Sequence, residues 1–240
     1  MKKNKKVVII VFILLLLLPF IYKGINLYLY NIMNITDYED ISNGLIINDS
    51  VNVKDKTFDG DYLAFNEISF QNDFNDFENN QNTSEFMQFV SRDEKGSIKS
   101  SFSVRINEQY VDSIKSMNKA DSKTFNSLNK EKILENNHIK NDFDLINFII
   151  LNKNNTNNFF TSTKDMKENF FFQYISTNIF PLINSINFID GKYDGYIFNS
   201  DNTMKIVNII KNNKRYTFQF TGTDFTDDYI NEFLSTLVIK

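Results

Sequence analysis

An unbroken apolar run from Val7 to Tyr22, fenced by Lys2, Lys3, Lys5 and Lys6 in front and Lys23 behind, constrains this chain more than any other feature. About sixteen residues of helix, rising 1.5 Å each, span roughly 24 Å, a little short of the roughly 30 Å hydrocarbon core of a bilayer. Lys6 and Lys23 can snorkel, and Ile25, Leu27, Tyr28, Leu29 and Tyr30 extend the apolar stretch to full thickness. A secretory signal has a shorter apolar region and then a small-x-small cleavage site, and Pro19 to Gly24 contain no such pair. A cleaved signal and a buried core helix are the alternatives; the residues favour an uncleaved anchor. The leading lysines place the N-terminus in the cytoplasm by the positive-inside rule. The expectation is a single-pass protein of the cell membrane, in contact with the lipid bilayer through this helix, with the bulk of the chain extracellular.

Beyond Lys23 the chain holds 21 basic against 30 acidic residues, so the outer part is acidic. That balance argues against nucleic acid as a partner, since phosphate binding needs a basic surface. With no cysteine there is no disulfide, lipidated cysteine, thiol nucleophile or cysteine-ligated zinc. A single histidine, His138, disfavours a Ser–His–Asp triad and most metal sites. The 7 glycines form no phosphate-cradling loop. No cofactor is expected.

The pattern along the chain divides it into residues 1–23 (cytoplasmic lysines and anchor), a polar membrane-proximal linker at 24–56, and an extracytoplasmic domain at 57–240. Tyr62 to Phe70 reads as one aromatic β segment, and NDFNDFENNQNTS (72–84) as a polar loop. Glu85–Arg92 and Ile98–Ile106 flank DEKG and read as an antiparallel hairpin. Helices are expected over Gln109–Asn118, over Lys130–Asn136 with a left-handed stop at Asn136–Asn137, after Asn141, and from Ser162 to near Pro181. NKNNTNN (152–158) reads as a surface loop, because enriched Asn here is first a matter of composition. Ile186–Ile189, Tyr193–Asn199, Met204–Lys211 and Arg215–Thr221 read as four successive strands, and Thr226 as the cap of a final helix. The stripe Tyr229, Ile230, Phe233, Leu234 and Leu237 makes that helix the cover of the aromatic sheet face. The fold class is α+β: a transmembrane helix, then an antiparallel-sheet domain with helices packed on it, an α/β/α sandwich being one form of it.

NNHIKNDFDLINFI (136–149) and IDGKYDGYIF…YTFQFTGTDFTDDYINEFLSTLVI (189–239) resemble membrane-anchored proteins of low-GC Gram-positive bacteria. The resemblance spans roughly 57–239, rests on turns and core positions, and implies a location but no reaction. The meander ending in a helix is also similar in outline to the PsbP-type fold, which carries no functional warrant.

Several constellations invite chemistry. DGKYDGYIFNSD (190–201) sets Asp190, Asp194, Gly195 and Asp201 at EF-hand places, but Lys192 holds a ligand position and strands flank the loop, so two β-turns around a strand are expected. The acidic clusters at 37–40 and 224–228 read as a solvated face and a helix N-terminus, and no pair of carboxylates is singled out for hydrolysis. His138 reads as a polar turn residue. Phe74, Phe77, Phe159 and Phe160, beside polar loops, are the candidates for an exposed contact patch. The sequence therefore points to a non-catalytic binding module, with an envelope or membrane protein among its possible partners. An envelope hydrolase using carboxylates and an accessory subunit of a membrane complex are the alternatives.

Overall fold

The computed structural model describes residues 17–28, 45–57, 59–71, 74, 76–117, 123–152, 161–179, 183–201 and 203–240. They form a mixed α+β structure whose main component is a large, mostly antiparallel sheet. The chain divides into two compact units. One comprises Gly44–Ser116, Leu134–Phe148 and Leu182–Lys240; the other takes Met1–Asn43, Met117–Ile133 and Ile149–Pro181.

In chain order the elements are β1 (Ile46–Ile47), β2 (Val51–Val53), β3 (Tyr62–Phe65), β4 (Ile68–Gln71), β5 (Glu78–Asn82), β6 (Phe86–Arg92), β7 (Ile98–Glu108) and α1 (Tyr110–Ser116). Then come α2 (Lys123–Asn126), α3 (Lys130–Asn136), α4 (Asp142–Leu151) and α5 (Thr163–Ile179). The chain closes with β8 (Ser185–Gly191), β9 (Asp194–Asp201), β10 (Met204–Lys211), β11 (Lys214–Thr221), α6 (Asp227–Thr236) and β12 (Val238–Ile239).

The unit that starts at Gly44 contains both sheets. The larger runs β1-β8-β9-β10-β11-β7-β6-β5, with β2 also on β8. The hairpin expected around DEKG is present as β6 and β7: Asp93 Oδ1 accepts from the amides of Lys95 and Ser97, both at 2.9 Å, and Gly96 takes φ +82°. The four C-terminal strands form the expected meander, and β7 pairs with β11 so that Phe102 faces Phe220 and Val104 faces Phe218. Alternation then sends Tyr216, Phe218 and Phe220 to one face and Arg215, Thr217 and Gln219 to the other.

Two expectations are corrected within this sheet and its neighbour. The stretch 72–84 contains β5, a strand with every residue exposed, held on β6 by backbone bonds. A strand solvated on both faces carries no apolar alternation, so its sequence looks like a loop. The segment Tyr62–Phe70 is two strands, because Asn66 turns the chain at φ +53°, and β12, β4 and β3 form a second sheet.

The core lies between the aromatic face and a layer made of α6 and this second sheet. Phe233 of α6 sits 5.2 Å from both Phe218 and Phe220, 5.5 Å from Phe70 and 5.7 Å from Phe102, centroid to centroid. Thr226 caps the helix as expected, its hydroxyl accepting from Tyr229 N at 3.2 Å, and Ile230, Phe233, Leu234 and Leu237 are buried. Burying four such side chains contributes about 1.5–3 kcal/mol each.

Helix starts follow the sequence closely. Asn141 Oδ1 accepts from Asp144 N at 2.9 Å, and Asp144 returns the contact to Lys140 N, a reciprocal cap that opens α4. α3 ends at Asn136 as expected, but the left-handed residue is His138, at φ +58°, one position beyond the expected Asn136–Asn137. Ile139 N reaches back to Leu134 O and His138 N to Glu135 O, which buries Ile139 against its own helix end.

In the other unit Ser162 Oγ accepts from Asp165 N at 3.1 Å and caps α5 as expected. Phe125 stacks on Phe171 and on Tyr174, with centroids 5.6 and 4.2 Å away, and Lys130 Nζ lies 5.1 Å from its ring. Residues 17–28 are helical, with Leu17, Leu18, Phe20, Ile21, Tyr22 and Ile25 exposed. Residues 7–16 of the apolar run and the loop at 153–158 lie outside the described residues. Among the described residues no helix is long and apolar enough to cross a membrane. Of the expected linker, residues 46–47 and 51–53 are strands paired in parallel with β8.

Candidate functional site

The aromatic face turns polar at one end of the sheet, and a cleft of about 350 Å³ opens there. Its position follows from register. Ser185 pairs with Asn199, Asn187 with Ile197, and Lys205 with Asn199. All five side chains therefore share the face that α6 covers. Ile189, Val207 and Ile209 continue that face into the core, so the cleft begins where the core stops. The first turns of α6 add Asp227, Ile230 and Asn231 at i, i+3 and i+4, which is one helical stripe. The β1–β2 segment closes the remaining side with Asn48 and Val51.

That last wall depends on one glycine. A Cβ on Gly191 would stand 2.6 Å from the Val53 carbonyl oxygen, and its φ is +101°. Only a residue without a Cβ lets β2 lie this close to β8.

Within the cleft a carboxamide chain is assembled. Asn187 Nδ2 donates to the Asp49 carbonyl at 3.0 Å. A backbone carbonyl only accepts, so this bond orients the Asn187 amide and leaves its Oδ1 facing the other way. Asn48 Nδ2 donates to that oxygen at 3.2 Å and Asn199 Nδ2 at 3.1 Å. Asn199 Nδ2 also donates to Ser185 Oγ at 3.1 Å. Asn199 Oδ1 is thereby turned away from every donor and is buried without a partner among the described residues. At the rim Lys205 Nζ donates to Asp227 Oδ1; the lysine is 15% and the aspartate 84% exposed. The lining thus holds one paired charge of each sign.

A second polar cluster lies on the opposite face of the sheet. Asp142 accepts from the amides of Tyr110 at 2.8 Å and Val111 at 2.9 Å, and from Arg215 Nη1 at 3.2 Å. Gln109 Oε1 in turn accepts from Asp142 N at 2.9 Å. The Arg215 guanidinium lies 3.4 Å from the Tyr110 ring centroid. Burial pushes the Asp142 carboxyl up, against the pull of the two amides and of Arg215. Burial and the charge of Asp142 push the Tyr196 hydroxyl well up. Perturbed groups of this kind mark functional sites only where a ligand can reach them. Asp142 and Tyr196 are fully buried, and this cluster ties α1 and α4 to the sheet.

The residues singled out from sequence are dispersed. Phe74 is 4% exposed and stacks on Phe102 with centroids 4.4 Å apart, which removes it from any contact patch. Phe77 is half-buried against Phe74 and Phe225, at 5.5 and 6.1 Å. Their polar neighbours had suggested exposure, but Phe89 of β6, Phe102 of β7 and Phe225 supply a greasy floor beneath them. Phe159 and Phe160 lie outside the described residues, as does the acidic cluster at 37–40. His138 is an exposed turn residue. Asp190 and Asp194 sit at strand ends, and Lys192 ion-pairs with Asp55 at 2.6 Å. Asp224 engages Ser100 and Lys99, while Asp227 holds Lys205, so the 224–228 carboxylates diverge. Among the described residues no group of three or more His, Cys, Asp or Glu is placed to hold a metal.

The cleft itself was missed in the sequence. Its asparagines were absorbed into a compositional bias, and only the period-2 placement of Ser185, Asn187 and Asn199 on one face could have flagged them. No protein-family model matches the chain, and no curated protein or solved structure shows significant similarity to it.

Proposed function

We propose that this chain is a membrane-anchored binding module, held by its N-terminal helix with its N-terminus in the cytoplasm, that presents the cleft beside α6 outside the cell. The observation that carries the binding role is the carboxamide chain. Asn48, Asn187 and Asn199 are pre-oriented by one backbone carbonyl. Pre-ordered polar groups in a concavity of this size are the usual anatomy of a small-ligand site. The lining carries a single carboxylate, whereas two-carboxylate glycoside hydrolysis requires a pair about 5–10 Å apart.

The membrane anchor is supported by the lysine-flanked apolar run and by the exposed Leu17, Leu18, Phe20, Ile21 and Ile25 on the described part of the helix. Protease treatment of intact cells tests the arrangement. The chain beyond Lys23 is digested from outside while an N-terminal tag stays protected. Protection of the whole chain until lysis overturns the reading.

A further inference from the structure

We infer that the cleft takes a neutral, polyhydroxylated ligand, a mono- or disaccharide unit, bound through the Asn48–Asn187–Asn199–Ser185 chain. The inference rests on the binding-module reading and names the chemical class of what binds.

Hydrogen-bond valence selects the class. Asn187 Oδ1 already receives two donors, and both Nδ2 contacts of Asn199 are committed. What remains is an acceptor at Asn48 Oδ1, the second N–H of the Asn48 and Asn187 amides, and the hydroxyl proton of Ser185, whose oxygen is taken by Asn199. A ligand must therefore present donor and acceptor capacity on neighbouring atoms. Vicinal hydroxyls do so, because each one both donates and accepts. A carboxylate only accepts, and would set its lone pairs against those of Asn48 Oδ1. An ammonium only donates and leaves Ser185 unanswered.

Charge points the same way. Lys205 is neutralised by Asp227, and the chain beyond Lys23 is acidic, so no net field draws an anion to the cleft. Paired charges at a rim still serve hydroxyls well, one side donating and the other accepting. Val51, Ile197 and Ile230 supply apolar surface for the C–H face of a sugar ring or the methyl of an acetamido group. The volume lies at the lower end of the roughly 300–1,000 Å³ typical of small-molecule sites, enough for a short saccharide. A peptide is disfavoured because the floor strands are interior to the sheet. β9 and β10 are each paired on both sides, so the floor itself offers no edge for main-chain pairing.

The test uses the full chain in lipid nanodiscs, which avoids competition from sugar-headed detergents. Chitobiose, cellobiose and maltose are titrated by calorimetry, with sodium phosphate, sodium acetate and a tripeptide as comparators. The expected result is saturable binding of at least one disaccharide and none of phosphate or acetate. Asn199→Ala weakens it tenfold or more. Asn231→Ala weakens it as well, and because that side chain is exposed on α6 the fold is not at risk. Thermal unfolding of both variants confirms that they are folded. Binding of phosphate alone, of no disaccharide, or of a disaccharide with unchanged affinity in both variants overturns the saccharide assignment. The membrane-anchored, outward-facing arrangement fails separately: it falls if intact cells protect the chain from protease, whatever the titrations give.

Discussion

Arg215 and Asp142, 73 positions apart in the chain, meet in the interior, where Nη1 of the arginine donates to Oδ2 of the aspartate at 3.2 Å. The aspartate is 0% and the arginine 10% exposed. Asp142 also caps α1 through the Tyr110 and Val111 amides, so one carboxylate joins two helices and a strand. Removing one partner of such a pair strands a buried charge. Arg215→Met is expected to lower unfolding free energy by about 3–5 kcal/mol, measured by urea denaturation followed by circular dichroism. A loss below about 1 kcal/mol would mean that the pair is held for geometry alone.

The same carboxylate gives stability a pH slope. Burial raises the folded-state pKa of Asp142 above its unfolded value. Its contribution is therefore complete below the unfolded carboxylate range and is lost as pH rises through the folded pKa. Glu67 acts in the opposite sense. It accepts from Lys214 Nζ at 2.6 Å and from the Tyr216 hydroxyl at 2.9 Å, and the Lys214 contact holds its pKa below the ordinary value. Its stabilisation is present above the unfolded carboxylate range and disappears as pH falls through the folded pKa. Asp142→Asn should flatten the decline on the rising side, and Glu67→Gln should flatten the acid-side loss. Urea midpoints collected from about pH 3 to about pH 7 separate the two.

Gly191 couples backbone geometry to the cleft. With φ at +101° and a virtual Cβ 2.6 Å from the Val53 oxygen, Gly191→Ala must force β2 off β8. The strained conformation alone costs about 1–3 kcal/mol. Hydrogen exchange is expected to quicken first at the β2–β8 pairing, Val51 to Val53, while the β7–β11 pairing stays protected. Equal quickening in both would indicate global rather than local loosening.

Local structure was largely legible because it is made by near neighbours. The cap at Asn141, the cap at Thr226 and the Asp93 turn each close a hydrogen bond across two to four residues, and such bonds leave a fixed spacing in the sequence. Strand alternation in Tyr216, Phe218 and Phe220 was legible for the same reason. The strand Glu78–Asn82 was not, since both its faces are solvated and nothing apolar marks its period.

The residues by themselves determined an acidic, cysteine-free α+β chain with a lysine-flanked apolar head, a DEKG hairpin and a meander lidded by a capped helix. Tertiary structure alone decided that β1 and β2 run parallel to β8, that Phe74 is core, and that Asn48 meets Asn187 across 139 positions. The reason is physical. Contacts between distant segments are set by which buried surfaces fit together, and an asparagine reads the same in a solvent loop as in the wall of a cleft.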